Sequence, residues 1–290
     1  MEDIENLIEQ SNNVVYPRKF NVDEWKTKKQ EEKKETYELL DNATDEVKND
    51  IYKFRTYLDI QSKFDRYSVG NCLLIMKQQP TARLIKELND WKKIPNVFIK
   101  KNPLYIKILE PNGEYQKQDG SIGTSYNVKK LLDISQTNVK DNNNIKYDDR
   151  ELLKAILKSS DVNMKVVEEL SGLSKFDKEQ NVIFIKRGAN GDALFQSLIY
   201  EIAKSKNIST DNKVLDDLKC LGISYMICKR YNIDISNYSF PNNTYDLKNM
   251  DLLDVRNYLD DMRLSMQGMN NIISQNLETP KINRNKDYER

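Results

Sequence analysis

Leu194-Phe-Gln-Ser-Leu-Ile-Tyr-Glu-Ile-Ala-Lys-Ser-Lys-Asn207 decides how the rest of the chain is read. Leu194, Leu198, Ile199 and Ile202 recur at three- and four-residue steps, and Ala203 continues them. That spacing gives one apolar face of a helix. The centre of the stretch, Tyr200-Glu201-Ile202-Ala203-Lys204, has the outline of H-E-x-x-H. In that motif two His one turn apart bind zinc, and the Glu acts as general base on the metal-bound water. Here Tyr200 and Lys204 stand where the imidazoles would be. Glu201 alone keeps its place, and the 290-residue chain contains no His at all. Taken alone, the segment is an ordinary helix; its context makes it read as a zinc site that has been lost.

The length suffices for two modest domains with real cores. Apolar residues make up 38% and charged residues 31%, which is polar but not disordered given 16 Tyr and apolar runs throughout. No run of about 18 apolar residues exists, so no membrane-spanning helix is expected. The acidic start, Met1-Glu2-Asp3, lacks an apolar core behind a basic lead, which argues against a signal peptide. Cys72, Cys220 and Cys228 are odd in number and form no C-x-x-C pair, which suits a reducing cytoplasm. A soluble cytoplasmic protein is expected. The net charge of +1 predicts no partner by itself. Its distribution is more informative. From Lys77 to Lys107 eight basic residues face two acidic ones, whereas five Asp face three basic residues from Asp246 to Arg263. Any polyanion is therefore expected on the first half.

Along the chain, residues 3–12 read as a short helix ended at Pro17. Asn21 to Leu40 reads as a solvated mixed-charge helix, with opposite signs at helical neighbour spacings. Thr44 carries a capping signature, which predicts a new helix from about Asp45 to Arg66. Val69 to Gln78 reads as a helix closed by Pro80, and Thr81 to Trp91 as another. From Phe98 the period changes to that of a strand ending at Pro111. Asn112-Gly113 predicts a tight turn, Tyr115 a second strand, Asp119-Gly120 and Gly123 a loop, and Tyr126 to Asp133 a short strand. Asn138 to Tyr147 is polar and turn-rich and reads as a linker. Glu151 to Lys158 and Val162 to Leu170 look helical or mixed, and Asn181 to Lys186 is β-type. Gly188 to Gly191 is a turn before the Leu194 helix. Val214 to Tyr231 and Leu247 to Ile273 are long helices, and a charged tail follows Pro280. The fold class expected is α+β. An arm over 1–44 precedes an α+β domain over 45–138. A linker over 139–148, a mostly helical domain over 149–278 and a tail over 279–290 complete the chain.

Five stretches in order then resemble one family. They are Arg66 to Ala82 (Arg-Tyr-Ser-Val-Gly-Asn-Cys-Leu-Leu-Ile-Met-Lys-Gln-Gln-Pro-Thr-Ala), Trp91-Lys-Lys, Ile108-Leu-Glu-Pro, Tyr126 to Thr137, and Ser224 to Phe240. The chain resembles the ArdC-type antirestriction proteins, including the LtrC-like proteins of Gram-positive mobile elements, from about Asn21 to about Asn276. The resemblance implies a first domain that binds single-stranded DNA and a second, zincin-like metallopeptidase domain. It also implies a role in protecting DNA during conjugative transfer. Relatives with an intact site carry H-E-x-x-H at positions 200–204 and an acidic third ligand on the next helix, where this chain has Leu221. Asp217 lies one turn away but has no imidazole partner. Tyr is a poor zinc ligand, Lys must lose its proton to bind, and Glu201 then has no acidified water to activate. Tyr200, Glu201, Lys204 and Leu221 are therefore read as vestigial, with no metal, no cofactor and no peptidase activity.

Single-strand binding needs cations that track phosphates and flat rings that stack on bases. Arg66, Lys77, Arg83, Lys92, Lys93, Lys100, Lys101 and Lys107 supply cations, and Lys129 and Lys130 extend them. Tyr67, Trp91, Phe98 and Tyr105 supply rings, although Trp91 and Phe98 read more readily as core than as platforms. Asn71 and Gln78 can hydrogen-bond phosphates or base edges. Tyr126 reads as either a platform or a packing residue. The expected partner is single-stranded DNA, with no membrane. The alternative is a host restriction or defence protein gripped by the second domain.

Overall fold

The computed structural model describes residues 21–140, 147–206, 212–236, 238, 240 and 246–277. The short helix expected over 3–12, most of the linker and the charged tail lie outside the described residues. The chain divides into two compact units, Met1–Glu35 and Thr36–Arg290. Described residues 22–35 of the first unit are helical, opened by the Asn21 side chain, which accepts from the Asp23 and Glu24 amides. The expected i,i+4 pairing is present between Glu24 and Lys28 at 2.7 Å.

The helix does not restart at Thr44. It runs unbroken as α1, Val22–Asn49, and Thr44 lies buried inside it. The Thr44 hydroxyl donates to the Leu40 carbonyl one turn back, so it has no need of a cap position. Leu40, Ala43, Thr44 and Val47 form a buried stripe at helical spacing, and that burial carries the helix through. The break comes at Asp50, whose carboxylate caps α2, Ile51–Lys63, by accepting from the Tyr52 amide at 2.7 Å. Ser68 caps α3, Val69–Gln78, as expected of its apolar run.

Thr81 to Trp91 is not one helix. The buried Asp133 carboxylate accepts from the Arg83 and Leu84 amides and pulls this segment alongside the sheet. It forms a short strand β1, Ile85–Lys86, and then a single turn of helix, α4, Leu88–Lys92. The next strand starts later than its pattern predicts. β2 is Ile106–Gln116 and crosses Asn112-Gly113 by an irregularity between Pro111 and Glu114 rather than turning there. The hairpin closes around Asp119-Gly120 and returns as β3, Ile122–Asp133. Gly123 belongs to that strand rather than to the loop. Its missing side chain leaves room for the Tyr115 ring on the opposite strand, since a Cβ there would stand 2.8 Å from Tyr115 Cζ. The sheet order is β1-β3-β2, antiparallel throughout.

After α5, Asp149–Lys158, comes a second three-stranded sheet in a region expected to be mostly helical. Its strands are β4 (Asn163–Val167), β5 (Ser174–Asp177) and β6 (Val182–Lys186), in the order β4-β6-β5. The helical or mixed pattern at 162–170 thus resolves as an edge strand parallel to β6. Three helices follow: α6 (Gly191–Lys206), α7 (Lys213–Arg230) and α8 (Leu252–Asn276). The fold class is α+β. One contiguous cluster of buried side chains runs from Leu40 to Ile273, and a small second one joins Trp91, Leu132 and Ile134. α2 and α7 are further tied through the Tyr225 hydroxyl, which donates to Asp59 and accepts from Arg55. No helix among the described residues is long and apolar enough to cross a membrane.

Candidate nucleic-acid interface and the 200–204 segment

The residues singled out around the first sheet separate into three groups. The first is committed to the fold. Trp91 is 1% exposed and its indole N–H donates to the Leu132 carbonyl at 2.9 Å, so neither ring face can receive a base. Asn71 and Gln78, two turns apart on α3, face the outer edge of β2. Each side-chain amide both accepts from and donates to one strand residue, Asn71 with Leu109 and Gln78 with Lys107, at 2.8–2.9 Å. They replace the strand that the edge lacks, and these bonds fix both amides in place on the fold. Lys77 pairs with Glu46.

The second group lies on one face of the sheet. Residues paired directly across an antiparallel ladder share a face, which places Lys107 with Lys130, Leu109 with Val128 and Pro111 with Tyr126. Lys107 and Lys130 are therefore cross-strand neighbours on one face. Just before β2, residues 98–105 make an irregular loop fastened at several points. Ile99 bridges to Thr137, the Phe98 amide donates to Asn138 Oδ1 at 2.8 Å, and the Leu104 amide donates to Gln136 Oε1. The fastened loop holds apolar side chains out in solvent: Phe98 is 70% exposed, Leu104 72% and Tyr105 40%. Lys100 and Lys101 lie between them, and Asn102 turns the chain with φ +50°. Among the described residues, Lys92, Lys100, Lys101 and Arg66 form no ion pair.

The third group turns away. Lys129 neighbours Lys130 in sequence and so points to the other face of the sheet. It sits between Glu87 and Glu110, 2.6 Å from each. The hydrogen bonds it donates to Glu110 and Glu87 hold its ammonium pKa well above the ordinary value. Tyr67 is half-buried on this side, edge-on to Phe64, with its hydroxyl pKa raised by burial. Lys93 pairs with Asp90. Sequence reasoning missed Leu104, Glu87 and Glu110. Acidic residues do not signal a DNA site, and an exposed Leu has no pattern that distinguishes it.

In the second sheet the 200–204 segment lies on α6 beside the edge strand β5. The Glu201 carboxylate is 8% exposed and accepts from the Phe176 amide at 2.8 Å. One turn earlier Ser197 meets Ser174 at 2.6 Å. Four residues of helix rise about 6 Å and two residues of strand about 6.8 Å, so both links fit side by side. Burial pushes the Glu201 pKa up, against the opposing pull of the Phe176 amide, Lys204 and Lys175. The Tyr200 hydroxyl donates to Asp217 at 3.0 Å, and the Lys204 ammonium lies 5.7 Å from the centre of the Tyr200 ring. Burial, then Asp217, raises the Tyr200 pKa. Leu221 contributes only its backbone carbonyl, which accepts from Tyr238.

No family profile matches the sequence, and no curated protein matches it. Solved structures do. One is the crystal structure of antirestriction ArdC protein from R388 plasmid in its metal-free form. It is 12% identical with a TM-score of 0.57, and the match covers 82% of this chain and 97% of that one. Another is the Mn(II)-bound structure of the same protein, 11% identical with a TM-score of 0.51, covering 78% and 98%.

The chain has the ArdC fold.

The R388 protein has a Mn(II)-bound form, so the donor set here bears on whether an ion could be held. Tyr200 offers a protonated hydroxyl already bonded to Asp217, Lys204 offers an ammonium, and Leu221 offers no side-chain donor. Glu201 is turned onto β5. No group of three His, Cys, Asp or Glu among the described residues is arranged to hold a metal. The residues that occupy this part of the ArdC fold do not fit a divalent cation.

Proposed function

We propose that this chain is an antirestriction protein of a mobile genetic element. On this reading it binds single-stranded DNA at the loop 98–105 and the neighbouring Lys107 and Lys130 of its first sheet, and its second sheet and surrounding helices are a non-catalytic scaffold. The observation that carries the reading is the fastened loop 98–105. Exposing Phe98, Leu104 and Tyr105 costs stability, since each leaves apolar surface in water. Interleaving them with Lys100 and Lys101, beside the Lys107–Lys130 pair, meets the two needs of single-strand capture, stacking surfaces and phosphate-neutralising charge. The fold likeness to an antirestriction protein is consistent with this reading. The engagement of Tyr200 with Asp217 and of Glu201 with the Phe176 amide supports a scaffold role for this segment.

The test is an anisotropy titration with a labelled single-stranded oligonucleotide across a salt series. The logarithm of affinity should fall linearly with the logarithm of salt. The double variant K100E/K101E should bind more weakly and flatten the slope by roughly 1.4, at about 0.7 per phosphate contact. Salt-independent affinity, or a preference for duplex, would remove the proposal. The same variant separates it from capture of a host defence protein by the second domain, because antirestriction activity would then survive the charge reversal.

A further inference from the structure

One face of the second sheet belongs to the core. Phe176 and Ile183 lie in the large buried cluster, and Met164 and Ile185 pack against it. Alternation along each strand puts Lys165, Phe184 and Lys175 on the opposite face. The pairing register aligns these three in one row. Lys165 on β4 faces Phe184 on β6, and Phe184 faces Lys175 on β5. In the next row Val167 faces Lys186. Phe184 is partly exposed and belongs to neither buried cluster, and all three lysines are exposed. The row therefore sets one ring between two cationic side chains whose strands lie about 9–10 Å apart, twice the strand spacing. The charge on this face is unbalanced. Lys165, Lys175 and Lys186 form no ion pair among the described residues. Asp177 shares the face, opposite Val182, and accepts from the Gln180 amide in the turn. Glu168, which follows β4, is taken by Arg187 at 2.6 Å. Like charges on neighbouring strands repel one another, and a polyanion relieves that repulsion.

We infer that the outer face of the second sheet is a second contact for single-stranded DNA, with one base stacked on Phe184 and neighbouring phosphates on Lys165 and Lys175. The inference rests on the single-strand reading above and gives the second sheet a share of the strand besides its part as scaffold. Ammonium groups alone suit any polyanion. The ring between them selects one that carries flat groups to lay on it. An aromatic side chain on an open sheet face is a recurrent platform for an unpaired base. A duplex keeps its base faces stacked on one another and cannot use the ring. An acidic protein segment would use the charges and leave the ring without a partner.

Photo-crosslinking of the unmodified protein to an oligo-dT of about 20 nucleotides with 5-iodouracil substitutions tests this directly. A crosslink should map to the tryptic peptide Glu179–Lys186, which contains Phe184. In anisotropy titrations K165E/K175E should weaken binding and flatten the salt slope by roughly 1.4, at about 0.7 per phosphate contact. F184A should weaken it about fivefold or more, the loss of one stacked base, and F184W should retain it. No crosslink in that peptide overturns the inference, as does unchanged affinity in F184A or in K165E/K175E. The first-sheet reading then stands on the weakening by K100E/K101E. Weakening by K165E/K175E and F184A but not by K100E/K101E upholds this contact and removes the first-sheet one. A protein that binds no oligonucleotide overturns both. The crosslink needs no variant, so it decides even where a substitution impairs folding.

Discussion

Asn71 and Leu109 exchange two hydrogen bonds of 2.9 Å, side chain to backbone in both directions, although 38 residues separate them. Gln78 does the same with Lys107 one strand step of two residues earlier. Two turns of α3 rise about 10.5 Å, more than the 6.8 Å between the strand positions, so the helix must cross the strand obliquely. The pair closes the outer edge of β2.

Removing either amide leaves a strand N–H and a C=O without a partner. Asn71→Ala should cost about 1–3 kcal/mol in urea unfolding, with Gln78→Ala similar. The double variant should also self-associate through the bared edge, visible in light scattering. A double variant as stable and as monodisperse as the parent would show that the clasp is incidental.

Glu201 predicts a pH signature. Its folded pKa is raised above the ordinary 4.5, so between those two values the native state binds a proton that the unfolded state has released. Stability contributed by this group therefore falls as pH rises through that window and stays lower above it. Glu201→Gln keeps an oxygen for the Phe176 amide without a charge to bury. It should match or exceed the parent near neutral pH and remove this slope. Glu201→Ala leaves the amide bare and should lose about 1–3 kcal/mol.

Trp91 should behave as core. Trp91→Ala should cost about 3–5 kcal/mol. Trp91→Phe should retain part of that packing and lose the indole hydrogen bond to the Leu132 carbonyl. Oligonucleotide affinity of Trp91→Phe should equal that of the parent, and a loss of affinity without loss of stability would return Trp91 to the interface.

Phe98 and Tyr105 should behave in the opposite way. Each is exposed, so Phe98→Ala and Tyr105→Ala should leave the melting temperature nearly unchanged. Stacking on a base is worth about 1–3 kcal/mol, so each should weaken single-strand binding by roughly fivefold or more. Unchanged affinity in both would locate the strand elsewhere.

Helices with a buried apolar stripe were legible in the sequence: α3 from its apolar run before Pro80 and α6 from its Leu194 spacing. Thr44 misled because a cap and an interior Thr share one composition, and only the burial of Leu40 and Val47 distinguishes them. β1 was illegible because two strand residues carry no period, and the force that places them is Asp133, nearly fifty residues on. At the site, residue type was legible but orientation was not. Lys129 and Lys130 are indistinguishable as letters, and so are a Trp that stacks and a Trp that bonds Leu132. That no imidazole stands at 200–204 could be read directly, because the chain contains no His.

Adjacent lysines serving opposite faces give β3 a dependence on counting. A shift of its pairing with β2 by one position would turn Lys129 to the opposite face and Lys130 toward Glu87 and Glu110, and would exchange Leu131 with Leu132 between the two buried clusters. Insertions near Gly120 at the hairpin tip leave that count alone, whereas a single inserted or deleted residue between 126 and 133 scrambles both surfaces together. An added residue is therefore accommodated only at the tip, and the two faces can be altered only by substitution.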